Sequence, residues 1–513
     1  MSHDVFDPAN YTSAQIREFK AENAERVREA SKRGDVSIDG MPLKVTLELT
    51  ADCDLFCRMC EFPAPREAGR KNGYALVMKE EDFEALIVPQ VMPYALLVNL
   101  TVVGEPLLVP YLDRVLDIAG QWGTRVEFIT HGQHMDRAMI DKIGWTAAGV
   151  VFSFDGGTRD TFNRIRIGGD FNVITTNILR FQRWRERHIG EGEYQPYLHV
   201  NMTLMQENIQ ELPTVVRLCS MLGVDKLSGA LMVAFNPKMA KSSLLNHQAL
   251  ANKAIRRARE VAEEVGMHIV IPVEFPGVTE DEIEAVELVE PDLPDGPVPH
   301  LADALAGGEI PDLTPEPSPP EESFHEIGAN IPEPDADGNV VFVPLDEVGG
   351  TAQVDAAAKT HEIVPGQGAL NKERAFGSPL QQTPTEKKLQ GQIAVADSVD
   401  GLDQRVLEVG MGKDESGGTG GTCKFLWNEL FVGLQGDVAP CCVQGRPIVG
   451  NIFEQDLASI WNGPMMQEMR QRLLIGDPVD CCRDCNYNTE RGRGDYREDT
   501  LIIPDRAQRA RDF

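Results

Sequence analysis

Cys53, Cys57 and Cys60 stand at a C-x3-C-x2-C spacing inside the stretch TADCDLFCRMCEFP. Three thiolates this close can share a centre only if the chain wraps around it, and thiolates are the ligands of zinc and of iron–sulfur clusters. Structural zinc takes four protein ligands. No fourth Cys or His completes this loop, the nearest histidines being His3 and His131. A 4Fe–4S cluster held by three thiolates leaves one iron open to a substrate or cosubstrate. The plainer alternative is a structural knuckle or three ordinary thiols. A second set, Cys423, Cys441, Cys442, Cys481, Cys482 and Cys485, lies near the other end. Four thiolates in such a pattern suit tetrahedral zinc or a fully ligated 4Fe–4S cluster, and spacing does not separate the two. Cys219 sits alone in the helical pattern TVVRLCSMLGV and reads as a small buried apolar residue.

The elements that must position these thiols alternate. Strand-like runs at 43–50, 95–103, 125–130, 149–154, 197–205 and 226–234 are separated by helical patterns such as 111–123, 172–187 and 208–223. Long amphipathic helices are expected at 13–32 and 244–266. Six βα units argue for a parallel sheet covered by helices, although an open sheet with another crossover order would show the same periodicity. The first cysteine loop directly follows the first strand, and in parallel α/β folds the loops at the carboxyl ends of strands carry the chemistry. Near the C-terminus, ELFVGLQGDVAPCC reads as a hairpin turning at Gln435-Gly436-Asp437, followed by a helical connection at 456–476.

The net charge of −31 over 513 residues is unevenly spread. Residues 271–370 hold 23 acidic residues against one lysine, Lys359, and 15 of the 33 prolines. This is the signature of disorder; DADGNVVFVPLD (335–346) could form a hairpin within it. The expected organisation is an N-terminal helix and linker (1–42), an α/β core (43–272), an acidic Pro-rich, largely disordered insert (273–420), a cysteine-rich domain (421–495) and a tail (496–513). The acidity disfavours nucleic acid and anionic membrane surfaces as partners. No apolar run reaches the length of a membrane helix, and the first residues have neither a basic n-region nor an apolar h-region. A cytoplasmic, reducing setting is therefore expected, where clustered cysteines serve as metal ligands or catalytic groups.

LELTADCDLFCRMC resembles the opening of the radical S-adenosylmethionine (SAM) enzymes, whose first strand leads into C-x3-C-x2-C. Two positions depart from it: Asp54 stands where Asn is common, and Met59 where an aromatic is common. VGEP at 103–106 is similar to the family's GGEP segment, with Val103 in place of the first glycine. FITHGQ ends the third strand where the family often has TNG. FSFDGGTRDTFNRIRIGGDFNVITTNIL resembles the S-x-DG…R-x-GG segment of the subgroup that modifies peptides and sugars. The resemblance covers about residues 43–270. It implies a partial (β/α)6 TIM-like barrel, with a 4Fe–4S cluster on Cys53, Cys57 and Cys60 whose open iron chelates SAM. It also implies SAM contacts from Gly104, Glu105, Ser153 and Arg166, the last to the SAM carboxylate. The C-terminal DVAPCC…VGNI…ASIWN…MRQRL…C-x-x-C looks like the SPASM/twitch domain. No cysteine follows Cys485, so the one-cluster form fits best, with Cys423, Cys441, Cys482 and Cys485 holding an auxiliary 4Fe–4S cluster. Cys442 or Cys481 could then be a free thiol able to donate hydrogen.

The resemblance further implies a ferredoxin or flavodoxin electron donor, a 5′-deoxyadenosyl radical, and hydrogen abstraction from a substrate C–H bond. The auxiliary cluster would assist dehydrogenation, bond formation or epimerisation. Residues 1–42 are too few for a peptide-docking module, which favours a sugar, cyclitol or other small molecule over a peptide. The competing class is a non-catalytic metal-binding scaffold or electron-transfer protein.

Overall fold

The computed structural model describes residues 11–63, 66, 75–100, 103–189, 195–234, 237–291, 293, 296–313, 423, 425–441 and 446–483. The strands are β1 (Lys44–Leu47), β2 (Phe56–Cys57), β3 (Leu97–Asn99), β4 (Arg125–Thr130), β5 (Ala147–Ser153), β6 (Arg166–Ile167), β7 (Tyr197–Leu204), β8 (Lys226–Leu231), β9 (Ile269–Val270), β10 (Glu429–Val432), β11 (Asp437–Ala439) and β12 (Gly450–Asn451). The principal helices are α1 (Ser13–Arg33), α2 (Leu112–Gln121), α3 (Arg137–Thr146), α4 (Arg159–Ile165), α5 (Phe171–His188), α6 (Leu212–Met221), α7 (Gln248–Val265), α8 (Glu280–Ala285), α9 (Leu457–Trp461) and α10 (Pro464–Leu474).

The six expected strands form one parallel sheet in chain order, β1-β3-β4-β5-β7-β8, with β9 added parallel to β8. Chain order is the sequential half-barrel arrangement, which periodicity alone left open. The two faces differ in chemistry. Val45, Val98, Val126, Val150, Leu198 and Leu227 share one face and join the helices in the main core. Burying an apolar side chain of this size stabilises by about 1.5–3 kcal/mol. The other face carries Asn99, Glu127, Gly149 and Tyr197 across β3, β4, β5 and β7, then Ser153, Asn201 and Ser228 across β5, β7 and β8. Leu97, Ile129, Val151 and Tyr197 form a small apolar cluster on this same face, so it mixes packing with polar groups.

The C-terminal hairpin is not a separate body. Its strand β10 pairs in parallel with β1, and β11 and β12 follow antiparallel, giving a ten-stranded sheet. Gly436, at φ 79°, supplies the left-handed residue of the hairpin turn. The N-terminal helix ties the two regions together. Capped by Thr12 and ended by Gly34, α1 inserts Lys20 so that Nζ donates to Ala95 O (2.6 Å) and Thr124 Oγ1 (2.7 Å). After it, Arg470 donates to Val36 O (2.9 Å), and Asn462 brackets Ile38 with two hydrogen bonds. The helical connection is two helices, interrupted where Pro464 opens α10.

One boundary shifts. The disordered insert was expected from residue 273, yet residues 273–313 fold back onto the core. The capping box Thr279–Glu282 starts α8. Ile283, Val298, Leu301 and Ala304 are buried, and Arg256 pairs with Glu274 and Glu280. Few apolar residues suffice there because they dock on an existing surface, which composition cannot reveal. The remainder of the insert, including the 335–346 hairpin, lies outside the described residues. So do the segment after Arg483 and the tail. Cys219 is buried on α6 as expected.

Candidate active site

Cys53, Cys57 and Cys60 follow β1. The loop turns back through β2, which pairs antiparallel with β6: Phe56 opposite Ile167, Cys57 opposite Arg166. Two segments more than a hundred residues apart are thereby stitched together. The loop's backbone supports the thiols, with Leu55 N donating to Cys53 Sγ and Phe62 N to Cys60 Sγ, each at 3.5 Å. Arg166 NH1 is 3.9 Å from Cys57 Sγ. Burial pushes the Cys60 thiol up to about 11 and the Cys57 thiol higher still. Thiols gathered and buried in this way favour a cationic metal core, because ligation replaces their protons and compensates their charge. The donor set fits an iron–sulfur cluster with three protein ligands.

The neighbouring expected residues converge on the same place. Gly104 packs so tightly that a Cβ would lie 2.4 Å from Thr50 O and 2.6 Å from Asp52 O. Glu105 N donates to Asp52 O (2.7 Å). The buried Glu105 carboxylate accepts from Thr130 Oγ1 (2.5 Å), His131 N (2.9 Å) and Leu107 N (3.1 Å). Ser153 ends β5 opposite Asn201. Arg166 makes a 2.6 Å bond from Nε to Asp155 Oδ2, so part of its guanidinium is already committed to a protein carboxylate. Asp155 is fully buried and also accepts from Thr203 N (2.6 Å). Burial raises the Asp155 carboxyl, while Arg166 and the Thr203 N–H oppose the rise. Met59 packs against Ile165, Met205, Met232 and Met239, an apolar and adaptable wall beside the loop.

At the C-terminal site Cys423, Cys441, Cys481 and Cys482 are all partly buried. Cys481 and Cys482 Sγ are 3.9 Å apart. The neighbouring Cys481 thiol, burial, and then Cys441 and Cys423 all raise the Cys482 thiol. Cys442 and Cys485 lie outside the described residues.

Residues 423–486 match the family model of the SPASM iron-sulfur cluster-binding domain. Residues 423–486 therefore carry a SPASM iron-sulfur cluster-binding domain, beside a sheet whose first strand leads into a C-x3-C-x2-C loop. A curated relative, the tungsten-containing aldehyde ferredoxin oxidoreductase cofactor-modifying protein of Pyrococcus furiosus, is 21% identical over 228 residues, or 44% of this chain. The match spans 61% of that relative's length. Among solved structures, SuiB of Streptococcus suis bound to S-adenosylmethionine is 13% identical, with a TM-score of 0.44 over 87% of this chain and 71% of that one. BtrN in complex with AdoMet and 2-DOIA is 11% identical, with a TM-score of 0.28 over 85% and 88% of the two chains.

Three supports of the Cys53–Cys60 site escaped the sequence reading. Glu211 accepts from Gly157 N (2.7 Å), Thr158 N (3.0 Å), Thr158 Oγ1 (2.9 Å) and Thr161 Oγ1 (2.7 Å), pinning the loop between Asp155 and α4. The buried Arg66 donates to Leu55 O (2.8 Å) and lies over the Phe56 ring. Asp54 is gripped by two histidines, His131 Nε2 at 2.9 Å and His134 Nε2 at 2.8 Å. Burial resists ionisation of Asp54, but these two bonds outweigh it and hold the carboxyl well below the usual range. The signal for the last was present: Asp54 and THGQH are both departures from the family pattern.

Proposed function

We propose that the protein is a radical SAM enzyme acting on a C–H bond of a small, hydroxyl-bearing molecule. The observation that supports this best is the thiol triad Cys53, Cys57 and Cys60, with Cys57 buried and the other two partly buried, wrapped between the end of β1 and β6. S-adenosylmethionine bound at the open iron of a three-thiolate cluster supplies, on reduction, a 5′-deoxyadenosyl radical able to take hydrogen from carbon.

The chain's own residues do the rest. Gly104 lets the β3 loop close on the cysteine loop, and Glu105 fixes it with backbone and hydroxyl donors. Its anchored carboxylate is the group suited to an ammonium. Arg166 lies between Cys57 and Asp155, where it supplies fixed positive charge for a carboxylate. Substrate polarity is read from Asn201 and Ser228, neighbours in register next to Ser153, the SAM contact. Among the described residues, Asn201 Oδ1 and Ser228 Oγ have no hydrogen-bond partner. Buried polar atoms of this kind are ordinarily bonded, and neutral hydroxyls and amides match a sugar or cyclitol. Cys423, Cys441, Cys482 and Cys485 would hold an auxiliary cluster, which would supply an electron acceptor for substrate oxidation; a ferredoxin or flavodoxin would be the primary donor.

Anaerobically reconstituted protein, reduced with dithionite and given SAM, is expected to release 5′-deoxyadenosine, and Cys57→Ala to release none. Reconstituted wild type that is colourless, or that leaves SAM intact, would reduce the chain to a metal scaffold or redox carrier.

A further inference from the structure

Asp54 directly follows a cluster-ligand cysteine, and its carboxylate faces His131 and His134 from the loop after β4. Cys53 Sγ, an Asp54 oxygen and a His131 nitrogen all lie within 4.8 Å of one another. His131 is 3% exposed. Its Nδ1 accepts the Gln133 N–H (3.1 Å), so Nε2 is the ring's donor. That donor meets Asp54 Oδ1 at 2.9 Å and Glu105 Oε2 at 3.3 Å, in the same cluster as Cys53 Sγ. Gln133 is itself locked, with Nε2 on Gly168 O (3.2 Å) and Oε1 receiving Asp170 N (2.8 Å). The imidazole cannot swing away without breaking that frame. The two departures from the family pattern, Asp54 and the histidine pair, are one connected feature.

We propose that Asp54 and the His131–His134 pair set the reduction potential of the cluster held by Cys53, Cys57 and Cys60, the carboxylate lowering it and the His131 donor raising it. This rests on the cluster reading given above. A fixed negative charge beside a thiolate ligand disfavours adding an electron, and an N–H aimed at that thiolate favours it. His134, one-third exposed, modulates the first effect by taking Asp54 Oδ2. These are positioning residues: they act through Cys53.

The test is an EPR-monitored potentiometric titration of the reconstituted full-length protein without SAM. Asp54→Asn is expected to move the first cluster's midpoint to more positive potential. His131→Ala should move it to more negative potential. His131→Gln, which keeps an N–H donor, should return it toward wild type, with iron per chain unchanged in all three. If His131→Ala does not fold, His134→Ala carries the same expectation of a negative shift. Opposite signs support the proposal, because a merely structural role changes iron content and not the sign of a potential. Shifts of one common sign, or none, overturn it. Wild type without a reducible 4Fe–4S signal instead overturns the cluster reading itself.

Discussion

Asp155→Asn is the most demanding single-atom change the structure suggests. Both carboxylate oxygens face donors: Arg166 Nε at Oδ2 (2.6 Å) and Thr203 N at Oδ1 (2.6 Å). An asparagine offers one acceptor and one NH2. Either amide orientation sets a donor against a donor, at Arg166 or at the β7 backbone. Neither partner can move away, since Arg166 is paired in β6 and Thr203 in β7. The Asp155 backbone is pinned as well, Asn208 Nδ2 donating to its carbonyl at 3.1 Å. Removing one member of a buried ion pair costs about 3–5 kcal/mol, most of it from the charge left uncompensated. A buried donor without its acceptor costs about 1–3 kcal/mol. These overlap, so about 3–5 kcal/mol is the expected loss. Chemical denaturation of the cluster-free protein measures it without interference from iron. Arg166 would be left charged beside Cys57, so slower or incomplete cluster assembly should accompany the loss. A destabilisation below about 1 kcal/mol would show that the pair is effectively solvated, and would remove Asp155 from the account of the site.

Three further outcomes follow from the same geometry. Gly104→Ala places a Cβ 2.4 Å from Thr50 O; overpacking of this kind costs about 1–3 kcal/mol. Iron content should fall with it, read by iron assay beside a thermal melt. Glu211→Ala leaves Gly157 N, Thr158 N and two hydroxyls without their acceptor. A loss of about 2–4 kcal/mol is expected, and SAM binding by calorimetry should weaken more than it does in Glu211→Gln. Burial lowers the Lys20 ammonium from 10.5 to about 7. The unfolded chain therefore binds the extra proton between those values, and stability should rise with pH from about 7 toward 10.5. Lys20→Met, compared across that range by denaturation, should flatten the rise.

How far the sequence could be read divides along physical lines. The six strands and their order of appearance were legible because each is a largely apolar, β-branched-rich run of strand length separated from the next by a helical pattern. The thiol triad was legible because its three cysteines lie in one short loop. What resisted reading was whatever depends on partners distant in the chain. Nothing local to Glu211 marks it as the clamp on a loop more than fifty residues away, since a solvated surface glutamate looks the same in sequence. Residues 273–313 failed for a related reason. Their acidity resembles a disordered tether, yet Arg256, Arg257 and Arg217 on the core bind Glu274, Glu280 and Glu290, so the charge is spent on docking and a few buried apolar side chains hold the rest. Asp54 is the intermediate case. Alone it is a one-atom departure from asparagine, and His131 alone is a change of ring for amide. Only their 2.9 Å contact shows that the two departures are one connected feature beside the first cysteine.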